Sequence, residues 1–130
     1  MKSQTLRFNY EFSRVYKRGT FFAGRFITIH AFRRYPGLKH NTTLIKPDIV
    51  RVGFCANKKQ LGAVGRNRAR RLMRESYRKI EYLIPEGYDL VFTLKNNCEV
   101  PTYRDVEKDT LRGLRLLGLL ADKTDSGEDR

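Results

Sequence analysis

The sequence predicts an α+β fold with a mixed sheet in a single domain. Three observations carry that expectation. Segments with apolar residues at i, i+3 and i+4 interleave with segments of period two. Their order is helix, strand region, strand, helix, strand, helix, which suits a mixed sheet covered by helices. The 130 residues are 40% hydrophobic and include 7 Tyr and 8 Phe, enough for one modest core.

Asn9 is the expected cap of a first helix reaching about Lys17. Phe12, Val15 and Tyr16 share one face of it, and Gly19 ends it. Thr20 to Arg34 reads as one long strand, or as two with a kink at Gly24. Simple alternation puts Phe22, Phe26, Thr28, His30 and Phe32 on one side, and Phe21, Ala23, Ile27, Ile29 and Ala31 on the other. Both sides are largely apolar, so one is expected under helices and the other to present an aromatic surface.

Tyr35 to Asp48 holds Pro36, Gly37, Asn41 and Pro47 and reads as a loop. Ile49 to Asn57 is a strand, and Lys58 to Gly65 a glycine-containing loop. Arg66 to about Tyr82 is a helix, Pro85-Glu86-Gly87 a turn, and Tyr88 to Lys95 a strand. Thr102 and Asp105 have the spacing of a capping box for a last helix reaching about Leu120. Asp105 and Asp109 share a face of that helix and read as acids placed for its dipole. The domain is expected to span residues 1–120. Residues 121–130 hold four acids against two bases and read as a disordered polar tail.

Charge says most about partners. The net charge is +13, and residues 58–79 hold nine Lys or Arg against Glu75 alone. Such a concentration repels itself in the free protein and calls for a polyanion, nucleic acid first and an anionic membrane surface second. On a helical wheel Ala69, Leu72, Met73, Ser76, Tyr77, Ile80, Leu83 and Ile84 form the stripe that docks the helix. Arg71, Arg74 and Arg78 fall nearly opposite, flanked by Arg68, Arg70 and Lys79, an arginine ridge with a spacing of about 5–6 Å. Phosphates of A-form RNA recur at a similar spacing, and guanidinium binds them bidentately and stacks on unpaired bases. A solvated face would mix signs more evenly. Charge and spacing leave RNA and DNA open. A membrane module would need its apolar face exposed, whereas this stripe is needed for the core. Lys58 and Lys59 add charge beside a helix N-terminus, where free N–H groups favour a phosphate; an ordinary basic loop is the plainer alternative.

Other chemistry is sparse. Cys55 and Cys98 are far apart and lack the close pairing of metal ligands, so two free thiols are expected. The carboxylates are scattered, and no catalytic or metal site is read from them. No apolar run is long enough to span a membrane, and MKSQTLRFNY lacks a signal-peptide core, so the expected location is the cytoplasm.

The run GFCANKKQLGAVGRNRARRLMRES, residues 53–76, resembles the signature of the bacterial ribonuclease P protein subunit. The matching features are Gly53, Lys58-Lys59, Ala63-Val64, Arg66-Asn67-Arg68, Arg70-Arg71 and Arg74-Glu75. EFSRVYKRG is similar to that family's first helix and GYDLVF to its last strand, so the resemblance covers roughly residues 5–120. Gln60-Leu61-Gly62 departs from the family pattern by placing its glycine one position late.

The resemblance implies an order αβββαβα with a left-handed crossover between the parallel strands around the Arg-Asn-Arg helix. It also implies the non-catalytic protein of a ribonucleoprotein endonuclease that frees the 5′ end of tRNA. The RNA subunit would do the chemistry with Mg²⁺ held mainly by RNA. Lys58, Lys59, Arg66, Asn67, Arg68, Arg70, Arg71 and Arg74 would face the catalytic RNA. Phe12, Tyr16, Phe22, Phe26, Thr28 and His30 would line a cleft for the single-stranded leader of precursor tRNA. Phe32 reads better as core, and a lone strand histidine such as His30 is often structural. Asn67 either contacts RNA or a hydrated metal, or braces the crossover loop. Membrane and DNA are not among the implied partners. A structural RNA-binding protein, such as a ribosomal component, is the rival; it shares the charge and has no need of the cleft.

Overall fold

Gly24 and the two residues after it do more than kink a strand. They reverse it. In the computed structural model, which describes residues 3–35, 37–40, 43–56, 62–95 and 101–121, the Gly24 N–H donates to the Ile27 carbonyl at 2.8 Å and closes a tight hairpin. The elements are β1 (Gln4–Thr5), α1 (Asn9–Arg18), β2 (Thr20–Ala23), β3 (Ile27–Arg33), β4 (Lys39–His40), β5 (Thr43–Leu44), β6 (Arg51–Cys55), α2 (Ala63–Arg78), a 3₁₀ turn (Glu81–Leu83), β7 (Tyr88–Leu94) and α3 (Tyr103–Leu116).

The main sheet has the order β1-β6-β7-β3-β2. β6 runs parallel to β7 through α2, and β1 parallel to β6, while β3 is antiparallel to both β7 and β2. The expected α+β order with a mixed sheet is therefore present. Strands β1, β4 and β5 are additions that no sequence pattern announced, because two residues are too short to show a period.

Helices α2 and α3 pack on one face over Ile27, Ile29, Val52, Leu90, Phe92, Met73, Tyr77, Val106 and Leu114. Helix α1 lies on the other face over Leu6, Val15, Phe32 and Val91. Between α2 and α3 the Ser76 and Thr110 hydroxyls meet at 3.0 Å, so a buried polar pair is satisfied. Tyr77 is wholly buried, with its hydroxyl 2.7 Å from Ser3 Oγ; burial pushes its pKa up to about 12.

The ends of the helices show where local rules hold. Thr102 caps α3: its hydroxyl accepts the Asp105 N–H at 3.2 Å, and the Asp105 carboxylate accepts the Thr102 N–H at 3.0 Å. Helix α3 stops before Leu120 because Gly118 takes φ +80°, and the Leu119 N–H then bonds back to the Leu114 carbonyl at 2.8 Å. Asp109 does not serve the dipole. It is buried, and one carboxylate oxygen accepts the N–H groups of Phe26 (2.7 Å) and Ile27 (3.1 Å), clamping the β2–β3 turn onto α3. At α1, Phe8 takes the cap position in place of Asn9. Glu11 reaches back to the N–H groups of Arg7 (2.7 Å) and Phe8 (2.9 Å), so no capping side chain is needed at Asn9.

Gly19 ends α1 through close approach. A β-carbon there would lie 2.4 Å from the Ala31 carbonyl oxygen and 2.7 Å from that of Val15, both backbone atoms. Gly19→Ala is therefore expected to destabilise by about 1–3 kcal/mol as an overpacking change. A lowered urea midpoint with an unchanged m-value checks this, and an unaltered midpoint would mean that α1 swings clear.

Candidate nucleic-acid interface

The face of the sheet under α1 is fixed by strand register. Across β2 and β3 the pairs are Phe21↔His30, Phe22↔Ile29 and Ala23↔Thr28. Paired residues share a face, so an odd-numbered residue of β2 stands with an even-numbered residue of β3. The parity of the alternation flips in the turn. Phe21 thus joins Thr28 and His30 on the α1 face, while Phe22 moves to the face of α2 and α3. There Phe22 and Phe26 pack against the main core, and Phe22 lies where a β-carbon on Gly113 would touch it. Both were expected in the cleft, and both are corrected here. Phe21, which simple alternation sets on the opposite side, takes their place. The Gly24-Arg25 turn signal, read as a hairpin and not a kink, would have given the right side.

Along the same face stand Cys55, Thr93 and Thr28, then Gly53, Val91 and His30. Helix α1 crosses it obliquely. Phe12 sits directly on Gly53, where a β-carbon would come within 2.5 Å of its ring, so that glycine is the seat of the aromatic. Tyr16 meets His30 edge-on at 4.8 Å between centroids, and its hydroxyl lies 3.5 Å from Thr93 Oγ1. Phe21 stacks on the other side of His30 at 5.5 Å and 24°. The outcome is an aromatic surface in which His30 touches two rings, 43% (Tyr16) and 63% (Phe21) exposed, and which can serve as the cleft floor. Phe32 is not part of it, being buried beneath α1.

Burial sets the protonation here. It lowers the His30 pKa, so the ring is neutral at pH 7, and its Nδ1 is buried with no hydrogen-bond partner among the described residues. It raises the pKa of Tyr16 and that of the Cys55 thiol, which therefore stays protonated; the nearby Arg70 charge opposes the Cys55 shift without overcoming it. The helix that carries the arginine ridge packs on β6, the strand that ends in Cys55.

That helix starts at Ala63, three residues before Arg66. The Arg66 N–H is already bonded to the Gly62 carbonyl at 3.0 Å, so the free N–H groups of the helix start belong to Ala63, Val64 and Gly65. The docking stripe is as expected at Ala69, Met73, Ser76 and Tyr77. Leu83 leaves it and is exposed, because the helix gives way to a 3₁₀ turn that resets the angle per residue. Arg68, Arg71 and Arg78 are exposed, and none makes an ion pair among the described residues. Arg74 departs from the wheel: it is half-buried, its guanidinium 5.6 Å from the Phe54 ring centroid. Asn67 accepts a hydrogen bond from Arg70 at 3.0 Å, holding that guanidinium along the helix. Lys58 and Lys59 lie outside the described residues, as does Cys98.

Beneath α1 lies the one buried charge network of the described residues. Asp89, fully buried, accepts from Arg51 Nε (2.9 Å) and Nη2 (2.6 Å) and from Arg34 Nη1, while Arg51 Nη1 donates to Glu11 at 2.7 Å. Two carboxylates thus neutralise two guanidiniums. Among the described residues no three His, Cys, Asp or Glu converge as metal ligands, and Asp89 and Glu11 are already committed to arginine. No described helix is long and apolar enough to cross a membrane.

Comparison with known proteins gives one family. The family model described as Ribonuclease P matches residues 1–118. A ribonuclease P protein component of Clostridium novyi is 36% identical over 118 residues, covering 91% of this chain and 96% of its own length. One from Alkaliphilus metalliredigens is 33% identical over 116 residues, 89% and 95% of the two chains. The RNase P protein of Staphylococcus aureus has a similar fold, with a TM-score of 0.74 at 21% identity over 92% of this chain and 99% of that one. The Thermotoga maritima protein gives 0.65 at 22% identity over 84% and 93%.

Proposed function

The chain belongs to the ribonuclease P protein family, a protein component of an endoribonuclease in tRNA processing, and from that premise we propose how its two surfaces act. The arginine ridge of α2 binds the catalytic RNA, and the cleft beside α1 binds the single-stranded 5′ leader of precursor tRNA. The observation that carries this reading is the adjacency of the two: Arg74 of the ridge lies 5.6 Å from the Phe54 ring, and Cys55, the next residue of β6, stands beside Thr93 at one end of the aromatic face. One strand lying in the cleft would have its end next to whatever the ridge holds.

The RNA subunit supplies the hydrolysis, with Mg²⁺ held mainly by RNA. The protein binds and orients. Arg68 and Arg71 present exposed guanidiniums to phosphates, and Arg66, Arg70, Arg74, Lys58 and Lys59 add to the field. Asn67 holds Arg70 in line through its hydrogen bond. Lowering the repulsion between the two RNAs reduces the Mg²⁺ they require. In the cleft, Tyr16, His30 and Phe21 offer ring faces to unpaired bases, with Phe12 and Thr28 beside them. Every base has a π-face, so such a site tolerates varied sequences. One stacked base contributes about 1–3 kcal/mol, which separates precursor from mature product by about 5- to 150-fold in affinity. The location proposed is the cytoplasm.

The test is reconstitution with a bacterial ribonuclease P RNA at low Mg²⁺. The mixture should cleave precursor tRNA and the protein alone should not; no stimulation by the protein overturns the reading. Within that assay Phe21→Ala should weaken precursor binding by about 30-fold, the middle of the stacking range, and leave mature tRNA binding unchanged.

A further inference from the structure

Helix α1 lies on the sheet along Val15, and the cleft occupies only one of its flanks. On the other flank the side chains form a second row of aromatic rings and guanidiniums. Arg14 lies 6.0 Å from the Tyr10 ring centroid and 5.8 Å from that of Phe32. Arg18 lies 5.9 Å from Phe32 and 6.0 Å from Tyr35. At 100° per residue, Arg14 and Arg18 are about 160° round the helix from Phe12 and Tyr16, so the helix separates two rows.

This second row is electrically unbalanced. Among the described residues neither Arg14 nor Arg18 forms an ion pair, and Arg14 Nε and Nη2 are buried without a hydrogen-bond partner. Glu11, the acid on the same helix, is committed to Arg51. Arg18 is exposed and Tyr35 is 49% exposed. A guanidinium beside an exposed ring is the pairing that receives a phosphate and an unpaired base together.

The two rows approach each other along the chain at the end of α1. Arg18 and Phe21 are three residues apart across Gly19, which packs against the Ala31 carbonyl. A strand entering the cleft at the Cys55 end of β6, where α2 packs, leaves it over Phe21 and next meets Arg18 and Tyr35. We infer that this row, presented by Tyr10, Arg14, Arg18 and Tyr35 over the buried Phe32, binds the 5′-distal part of the same single-stranded leader, so that a long leader wraps the C-terminal turn of α1. The inference rests on the leader-cleft reading, which supplies the direction of the strand.

The experiment uses the full chain reconstituted with catalytic RNA and compares precursor tRNAs with leaders of about 4 and about 16 nucleotides, the span of known single-strand site sizes. Both are measured at one fixed salt concentration, since phosphate contacts depend on it. Wild type should bind the long leader more tightly. Arg18→Ala with Tyr35→Ala, both exposed, should reduce the long-leader affinity by about 30-fold, the mid-range of one stacked base. It should leave the short leader and the catalytic RNA unaffected. Equal loss for both leaders, loss of catalytic-RNA affinity instead, or no loss at all would each overturn the inference. If wild type gains nothing from either leader over mature tRNA, the cleft reading itself fails, and this inference with it. If it gains from the short leader and nothing more from the long one, only this inference fails.

Discussion

Asp89→Asn is expected to destabilise the protein by about 3–5 kcal/mol, the cost of breaking a buried ion network from one side. Against the roughly 5–15 kcal/mol that holds a domain of this size folded, that is a large share. Asp89 lies at the start of β7 with no exposed surface and contacts two guanidiniums. After the change Arg51 keeps Glu11, but Arg34 keeps only carbonyl partners at Tyr88, Lys46 and Ile49. One buried positive charge would be left without a counter-charge. The compensating variant makes the mechanism specific: adding Arg34→Met removes the orphaned charge, so the double variant should be more stable than Asp89→Asn alone. Urea unfolding of the three proteins checks this. A single-variant loss below about 1 kcal/mol would put the network in the class of solvent-screened pairs. Because Glu11 is the tie between this network and α1, the same change should also loosen the placement of Phe12 and Tyr16.

Arg68→Ala with Arg71→Ala should leave stability nearly unchanged and weaken binding of the catalytic RNA. Both side chains are exposed, and neither has an ion pair among the described residues. Two lost phosphate contacts should flatten the slope of log affinity against log salt by about 1.4–1.8, at roughly 0.7–0.9 per phosphate. Arg74 is a poorer choice, because its guanidinium lies against the Phe54 ring and its loss would mix packing with charge. An unchanged slope would mean that the ridge is a solvated face after all.

The difference between Arg68, Arg71 and Arg74 marks how far the sequence could be read. A helical wheel separates a docking stripe from a charged side, and that separation is correct for Ala69, Met73 and Tyr77. It cannot tell which arginines reach solvent, because that depends on Phe54 of a neighbouring strand. The cap at Thr102 and Asp105 was equally legible, since every partner lies within three residues. Asp109 was not, because the N–H groups it accepts belong to a turn more than 80 positions away.

The cleft divides in the same way. Of the residues the family resemblance implies for the cleft, Phe12, Tyr16, Thr28 and His30 are gathered on one face, while Phe22 and Phe26 lie on the other. Period-two alternation holds only within one strand. Once the chain reverses at Gly24, sidedness is set by the pairing register across β2 and β3, which alternation alone cannot carry across a turn.

By itself, then, the sequence determined the class of the fold, the docking stripe of α2, the cap of α3, the concentration of charge that selects a polyanion, and the family motif around Arg66-Asn67-Arg68. All of these are written in residues close enough together to share a helix or a run. The tertiary structure alone decided that Phe21 faces His30, that Arg34, Arg51, Asp89 and Glu11 form one neutral network, and that α1 divides two aromatic rows. Those outcomes depend on contacts between residues far apart in the chain, and only the packing of sheet and helices brings such residues within reach of one another.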